Sequence, residues 1–285
     1  MTTPINFGKA FATFEHTPFM HTGSSGKAWL LIHGFPGSPS EMRSLAMVLE
    51  NLGDTTCGIL LPGFGAELDS LRHKTATDWL NHAQGEYRRL RAKYDFVGVL
   101  GFSMGGAIAA QVAALEIPNA LILIAPFWKL NHVLWHTLPV LKHVIPQFKP
   151  FRLFKPNWSD PKFIESVRNF MPEADLNDSA TRQAILDFEI PVSMIDQIRQ
   201  TGLRGYAAAS KITCPTLVIQ GVQDALVTPA NTRDYLKAFN NAAKYVEVAG
   251  PHTLFDKSLL SWFSVSKAIV AFASAELSAK EVTNG

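Results

Sequence analysis

Phe96-Val-Gly-Val-Leu100 runs without a break into Gly101-Phe102-Ser103-Met104-Gly105-Gly106, and an Ala-rich segment reaching Leu115 follows. The first five residues predict a short buried strand, and the Ala-rich segment predicts a helix. Between them stands G-x-S-x-G, a turn so sharp that its central residue takes a strained backbone conformation. Glycines are required at Gly101 and Gly105 because side chains there would strike the neighbouring elements. Such a turn lifts the Ser103 hydroxyl above the sheet edge, at a helix N-terminus whose dipole favours negative charge. Ser103 is therefore the candidate nucleophile.

Working outward, Ala28-Trp-Leu-Leu-Ile32, Ala120-Leu-Ile-Leu-Ile-Ala125 and Pro215-Thr-Leu-Val-Ile-Gln220 predict further buried strands, with Val246-Glu-Val248 a shorter one. Near-continuous apolar strands belong to parallel sheets covered on both faces. Helical patterns over Ser40–Leu52 (Ser40 as N-cap), Thr77–Tyr94, Gly105–Leu115, Thr228–Phe239 and Asp256–Leu277 alternate with them. This order predicts an α/β fold with a doubly wound, mostly parallel sheet. The stretch from about Phe127 to Leu203 breaks the alternation. It has no good buried strand, and Pro139, Pro146, Pro150, Pro156, Pro161, Pro172 and Pro191 divide it into short helices and turns. It is expected to be an inserted helical cap, residues 127–203, on a core formed by residues 1–126 and 204–285.

A serine hydroxyl needs a base within hydrogen-bond reach, and the base needs an orienting acid. Where a serine occupies such a turn, acid and then histidine follow it along the chain. Of the histidines after Ser103, His132, His136 and His143 fall in the cap. His252, in Gly250-Pro251-His252-Thr253, follows the last strand and is the candidate base. The acid should follow the preceding strand, and Asp224 does; Asp187 and Asp196, in or at the edge of the cap, are the fallback acids. An oxyanion hole needs backbone N–H donors. Met104, next after the nucleophile, supplies one. The loop His33-Gly34-Phe35-Pro36 supplies the other through Phe35, since Pro36 has no N–H. His33 is expected to hold that loop by a hydrogen bond. Phe35, Trp128, Trp135 and Val227 are the candidate pocket residues.

Composition bounds the alternatives. The chain has 285 residues, 47% hydrophobic and 18% charged, with a net charge of +2. That supports one large core and no nucleic-acid partner, since zinc-finger spacing, RNP-type aromatics and long basic runs are absent. Cys57 and Cys214 are two isolated cysteines, expected to be small buried apolar residues in a reducing compartment. The first residues lack the pattern of a secretory signal, and the apolar runs are short for a membrane span. A cytoplasmic location is the expectation.

His33-Gly34 after a buried strand, Leu61-Pro-Gly-Phe-Gly65, Gly-Phe-Ser103-Met-Gly-Gly, Asp224 and His252 together resemble the α/β-hydrolase superfamily. Within it, the chain is similar to bacterial carboxylesterases and monoacylglycerol lipases, although Pro36 stands where their loop often has threonine. Haloalkane dehalogenases and epoxide hydrolases carry aspartate at the turn, where this chain has Ser103. The resemblance implies a helical cap after the sixth strand. It also implies hydrolysis of apolar acyl esters, among them monoacylglycerols, with no metal and no organic cofactor. A carbon–carbon bond hydrolase or a thioesterase uses the same three residues, and a non-enzymatic ligand receptor of this fold can retain them. Substrate class separates the enzymes, and multiple turnover separates them from the receptor.

The first half of the cap carries Lys129, Lys142, Lys149, Arg152 and Lys155 with no acidic residue, among Phe127, Trp128, Trp135, Phe148, Phe151, Phe154 and Trp158. Two readings stand: a lid with its lysines in water, or a surface attracting a lipid interface or an acidic acyl-carrier protein. The oligomeric state stays open.

Overall fold

A computed structural model describes residues 13–131, 133–145, 147–149, 157–160, 164, 175–187 and 189–281. Pro146, Pro150, Pro156, Pro161 and Pro172 of the proline series, and Phe151, Arg152, Phe154 and Lys155 of the basic run, lie outside them.

The strands that precede the inserted segment are β1 (Phe19–His21), β2 (Lys27–Ile32), β3 (Thr55–Ile59), β4 (Phe96–Phe102) and β5 (Ala120–Ile124). With β8 (Thr216–Gly221) and β9 (Lys244–Val248) they form one seven-stranded sheet in the order β1-β3-β2-β4-β5-β8-β9. Only β1 runs antiparallel to its neighbour. β4 lies at the centre, and every residue of β2, β4, β5 and β8 is buried, as the apolar runs predict. β3 has no such run. Its Thr-Thr-Cys-Gly-Ile is buried throughout because Thr56 donates to Glu50 and the Thr55 hydroxyl accepts from Gly23 N–H.

Helices cover both faces. These are α1 (Pro39–Glu50), α2 (Ala76–Arg91), α3 (Met104–Glu116), α7 (Pro229–Leu236) and α8 (Ser261–Glu281). The N-cap of α1 is Ser38 rather than Ser40: the Ser38 hydroxyl accepts from Ser40 N–H, and Pro39 occupies the first turn, where its missing N–H costs nothing. Thr75 and Asp78 form a reciprocal capping box at the start of α2. α8 begins at Ser261, five residues later than its pattern suggests, because the Asp256 side chain instead accepts from the Ser258 backbone and hydroxyl.

Five strands, not six, precede the inserted segment among the described residues. The segment contains α4 (Val133–Val144), β6 (Gln147–Phe148), α5 (Ser179–Asp187), β7 (Ile190–Pro191) and α6 (Val192–Ala208), with β6 and β7 paired antiparallel. The 203/204 boundary falls inside α6. That helix is seated on α3: a Cβ at Gly205 would lie 2.8 Å from Ala107 O, and Gln111 donates to Thr201 O. α3 is thereby enclosed between β4 and α6, which is why Met104–Ala113 is buried all round.

Where they are described, the lysines of the basic run each lie near a carboxylate. Lys142 meets Asp196 at 2.7 Å, Lys149 meets Asp187 and Glu189, and Lys129 lies 3.8 Å from Asp234. The carboxylates come from later in the chain, so local charge counting could not anticipate them. Both cysteines are buried, and they are not joined in a disulfide. Among the described residues, no helix is long and apolar enough to cross a membrane.

Candidate active site

Ser103 stands between the end of β4 and the start of α3 with φ 52° and ψ −117°, a conformation that non-glycine residues seldom adopt. Its N–H donates to Ile124 O, and its carbonyl accepts from Phe127 N–H and Ala107 N–H. The close approach of helix to sheet excludes side chains on either side of it. A Cβ at Gly105 would lie 2.2 Å from Ile32 O, and one at Gly101 would lie 2.3 Å from Gly105 O. Met104, as the first residue of α3, has an N–H without an intrahelical acceptor.

The loops after β8 and β9 bring the other two residues to Ser103. Gln223 N–H donates to Gly250 O and Val222 N–H to Val248 O. A Cβ at Gly221 would lie 2.5 Å from both Gly250 O and Pro251 O, so the loops press together with no side chain between. His252 Nε2 lies 3.1 Å from Ser103 Oγ, and His252 Nδ1 lies 2.7 Å from Asp224 Oδ2. Asp224 is 3% exposed, and its Oδ1 accepts from the N–H groups of Leu226 and Val227. The carboxylate can only accept, so Nδ1 carries the proton and Nε2 faces the serine hydroxyl as an acceptor. Phe102, the residue between Gly101 and Ser103, packs on the imidazole at 4.9 Å between centroids and is itself braced by Phe255.

On the other side of Ser103 lies the loop after β2. A Cβ at Gly34 would come within 3.2 Å of Ser103 Cβ. His33 Nε2 accepts from Leu61 N–H, which leaves Nδ1–H to donate to Gly34 O. Burial pushes its pKa down to about 4, with the bond to Gly34 offsetting part of the shift. His33 thus holds the loop as a neutral ring, as expected from the sequence. Glu41, on α1, was not singled out. It accepts from Gly34 N–H, and burial pushes its pKa up to about 7 against the effect of that bond.

Phe35 lines a cleft of about 260 Å³ whose apolar wall includes Pro36, Leu68, Leu71, Ile190 and Met194. Trp128, Trp135 and Val227 do not line it. Trp128 donates to Asn231 O and stacks on Tyr206 at 4.4 Å, while Trp135 packs edge-on against Phe127. Val227 is buried, with its N–H spent on Asp224.

The chain is similar to known proteins. A family model described as serine aminopeptidase, S33 matches residues 24–252. The chain belongs to the S33 family. Among relatives of this S33 hydrolase, the thermostable monoacylglycerol lipase of Bacillus sp. (strain H-257) is 23% identical over 217 residues, covering 76% of this chain and 78% of the lipase. The carboxylesterase of Bacillus subtilis (strain 168) is 21% identical over 245 residues, covering 84% and 90%. The crystal structure of Paleococcus ferrophilus monoacylglycerol lipase superposes with a TM-score of 0.68 at 15% identity, covering 91% of this chain and 98% of the lipase. The fold is that of the α/β-hydrolases.

Proposed function

We propose that this S33 hydrolase cleaves carboxylic esters through an acyl-enzyme on Ser103. The observation that carries the reading is the continuous hydrogen-bonded array from Ser103 Oγ through His252 to the buried Asp224. His252 takes the hydroxyl proton as Oγ attacks the ester carbonyl, and Asp224 stabilises the imidazolium that forms. The N–H groups of Phe35 and Met104 receive the oxyanion. His252 then protonates the departing alcohol. Water, activated in the same way, releases the acid and restores the serine.

The substrate class is supported by the Phe35 cleft, in which an apolar wall is joined by Asp69, Arg72, Asp187 and Glu189. It suits an acyl chain better than a peptide or a sugar. Esters of medium-chain fatty acids, monoacylglycerols among them, are the proposed substrates. Residues 127–203 form the proposed cap over this cleft, since β7 and α6 contribute Ile190 and Met194 to it.

Steady-state hydrolysis of p-nitrophenyl esters from acetate to palmitate, beside 1-monoacylglycerols of matched chain length, tests the reading. The expected result is turnover in both series with a shared optimum at intermediate length. Turnover of acyl thioesters or vinylogous diketones alone, with none on any ester, would overturn it.

A further inference from the structure

We infer that Gln220, locked by Thr232, is a positioning residue for Asp224, an inference that rests on the proposed roles of Ser103, His252 and Asp224. Gln220 is the penultimate residue of β8 and is fully buried, as is Thr232 on α7. The Thr232 hydroxyl donates to Gln220 Oε1 at 2.6 Å. Gln220 Nε2 faces three acceptors: Val227 O at 2.8 Å, Gly221 O at 3.0 Å and Asp224 Oδ2 at 3.2 Å. Two carbonyls and a carboxylate leave no doubt about the amide's orientation, because a reversed side chain would set its oxygen against three oxygens.

The consequence lies at Asp224 Oδ2, the oxygen that meets His252 Nδ1. With Oδ1 accepting from Leu226 and Val227, the amide supplies the fourth donor to the carboxylate. It also pins both ends of the turn that carries Asp224, through Gly221 O and Val227 O. The amide has two N–H groups for three acceptors, so the bond to Oδ2 is a shared one, and rotation of the carboxylate away from His252 would forfeit it. The amide touches neither the serine nor the reacting ester, so its effect passes entirely through Asp224.

The other groups near His252 do not compete for this role. Ser103 takes Nε2, and Phe102 contributes only its ring face. On the same loop, the Asp256 carboxylate is bonded to Ser258 and Lys257 reaches Met47.

The experiment compares wild type with Gln220→Met, Thr232→Val and Thr232→Ser. It measures kcat and KM on the best p-nitrophenyl ester and the low-field proton resonance of His252 Nδ1–H. Gln220→Met keeps the side-chain volume but has no amide, and kcat is expected to fall about tenfold with KM unchanged, for loss of one buried hydrogen bond to a charged group. Thr232→Val, nearly isosteric, is expected to lower kcat by about threefold, and Thr232→Ser, which keeps the hydroxyl, is expected to restore it. The Nδ1–H resonance should move in Gln220→Met and Thr232→Val but not in Thr232→Ser. An unmoved resonance with unchanged kcat in folded Gln220→Met would overturn the inference. Should that variant fail to fold, equal kcat and equal resonances in Thr232→Val and Thr232→Ser would do the same. A resonance that moves as expected in a protein without ester turnover would remove the proposed function and leave the positioning role standing.

Discussion

The turn around Ser103 and the described residues of the segment from 127 to 203 are held by different means. The turn is held by contact. Backbone passes backbone so closely at Gly101 and Gly105 that no other residue fits, and Ser103 is hydrogen-bonded through both its N–H and its carbonyl. In the segment beyond β5, charge pairs are prominent. Asp196, buried on α6, receives Lys142, Arg199 and Gln200; burial alone would raise its carboxyl, and these bonds hold it below the usual range. Steric exclusion leaves a local signature in sequence, because it dictates glycine at fixed spacing. Ion pairing leaves none when the partners are 40 or more residues apart, as for Lys142 with Asp196 and Lys149 with Glu189.

The contrast can be broken by substitution. The largest loss is expected at Gly105→Ala, whose Cβ would meet the backbone oxygens of Ile32 and His33, neither able to yield. It should destabilise by about 3 kcal/mol and abolish turnover, as read by chemical denaturation and ester hydrolysis. Asp196→Ala comes next. It strands the Lys142 and Arg199 charges beside a buried gap and should cost about 2–3 kcal/mol, while leaving the kcat of the protein that remains folded within about twofold of wild type. A loss of turnover in stably folded Asp196→Ala would mean that the ion pairs also set the chemistry.

Glu41 sharpens the comparison, because it is a charge inside the contact-held region. Its folded pKa, about 7, lies above the ordinary 4.5, so the folded protein keeps a proton that the unfolded chain releases between those values. Stability from this group is therefore full below pH 4.5 and is lost as pH rises through 7. Glu41→Gln should gain about 2 kcal/mol on wild type between pH 4 and pH 8, a figure discounted because Glu41 is half-buried. Thermal melts across that range check it, and parallel curves for the two proteins would refute it. The smallest effect is expected at Lys149→Gln. Lys149, Asp187 and Glu189 are each at least a third exposed, and the loss should stay under about 1 kcal/mol and shrink with salt.

The same distinction explains what could be read from residues alone. Ser103 and Asp224 were legible because each follows a strand whose apolar run is unmistakable, and the turn between β4 and α3 tolerates one kind of sequence; His252 follows the weaker β9 and was legible from its place in the chain order. β3 was not, because its buried positions are filled by threonines satisfied by Glu50 and by the Gly23 backbone, partners from neighbouring elements. Gln220 and Glu41 escaped for a related reason. A glutamine ending a strand and a glutamate in a helix's first turn are ordinary residues until the fold shows one on Asp224 and the other on Gly34. Trp128 and Trp135 lie outside the Phe35 cleft. Aromatic residues near a site are as often spent on packing, and here Tyr206 and Phe127 claim them.

The central claim is that Ser103 is the nucleophile of an ester hydrolase, and the most direct measurement is turnover of a medium-chain p-nitrophenyl ester by wild type beside Ser103→Ala. The substitution removes one oxygen from a fully packed turn and should leave the melting temperature close to wild type. Turnover should fall by about ten-thousandfold, to the residue that transition-state binding alone provides. Retained turnover in a correctly folded Ser103→Ala protein would contradict the account.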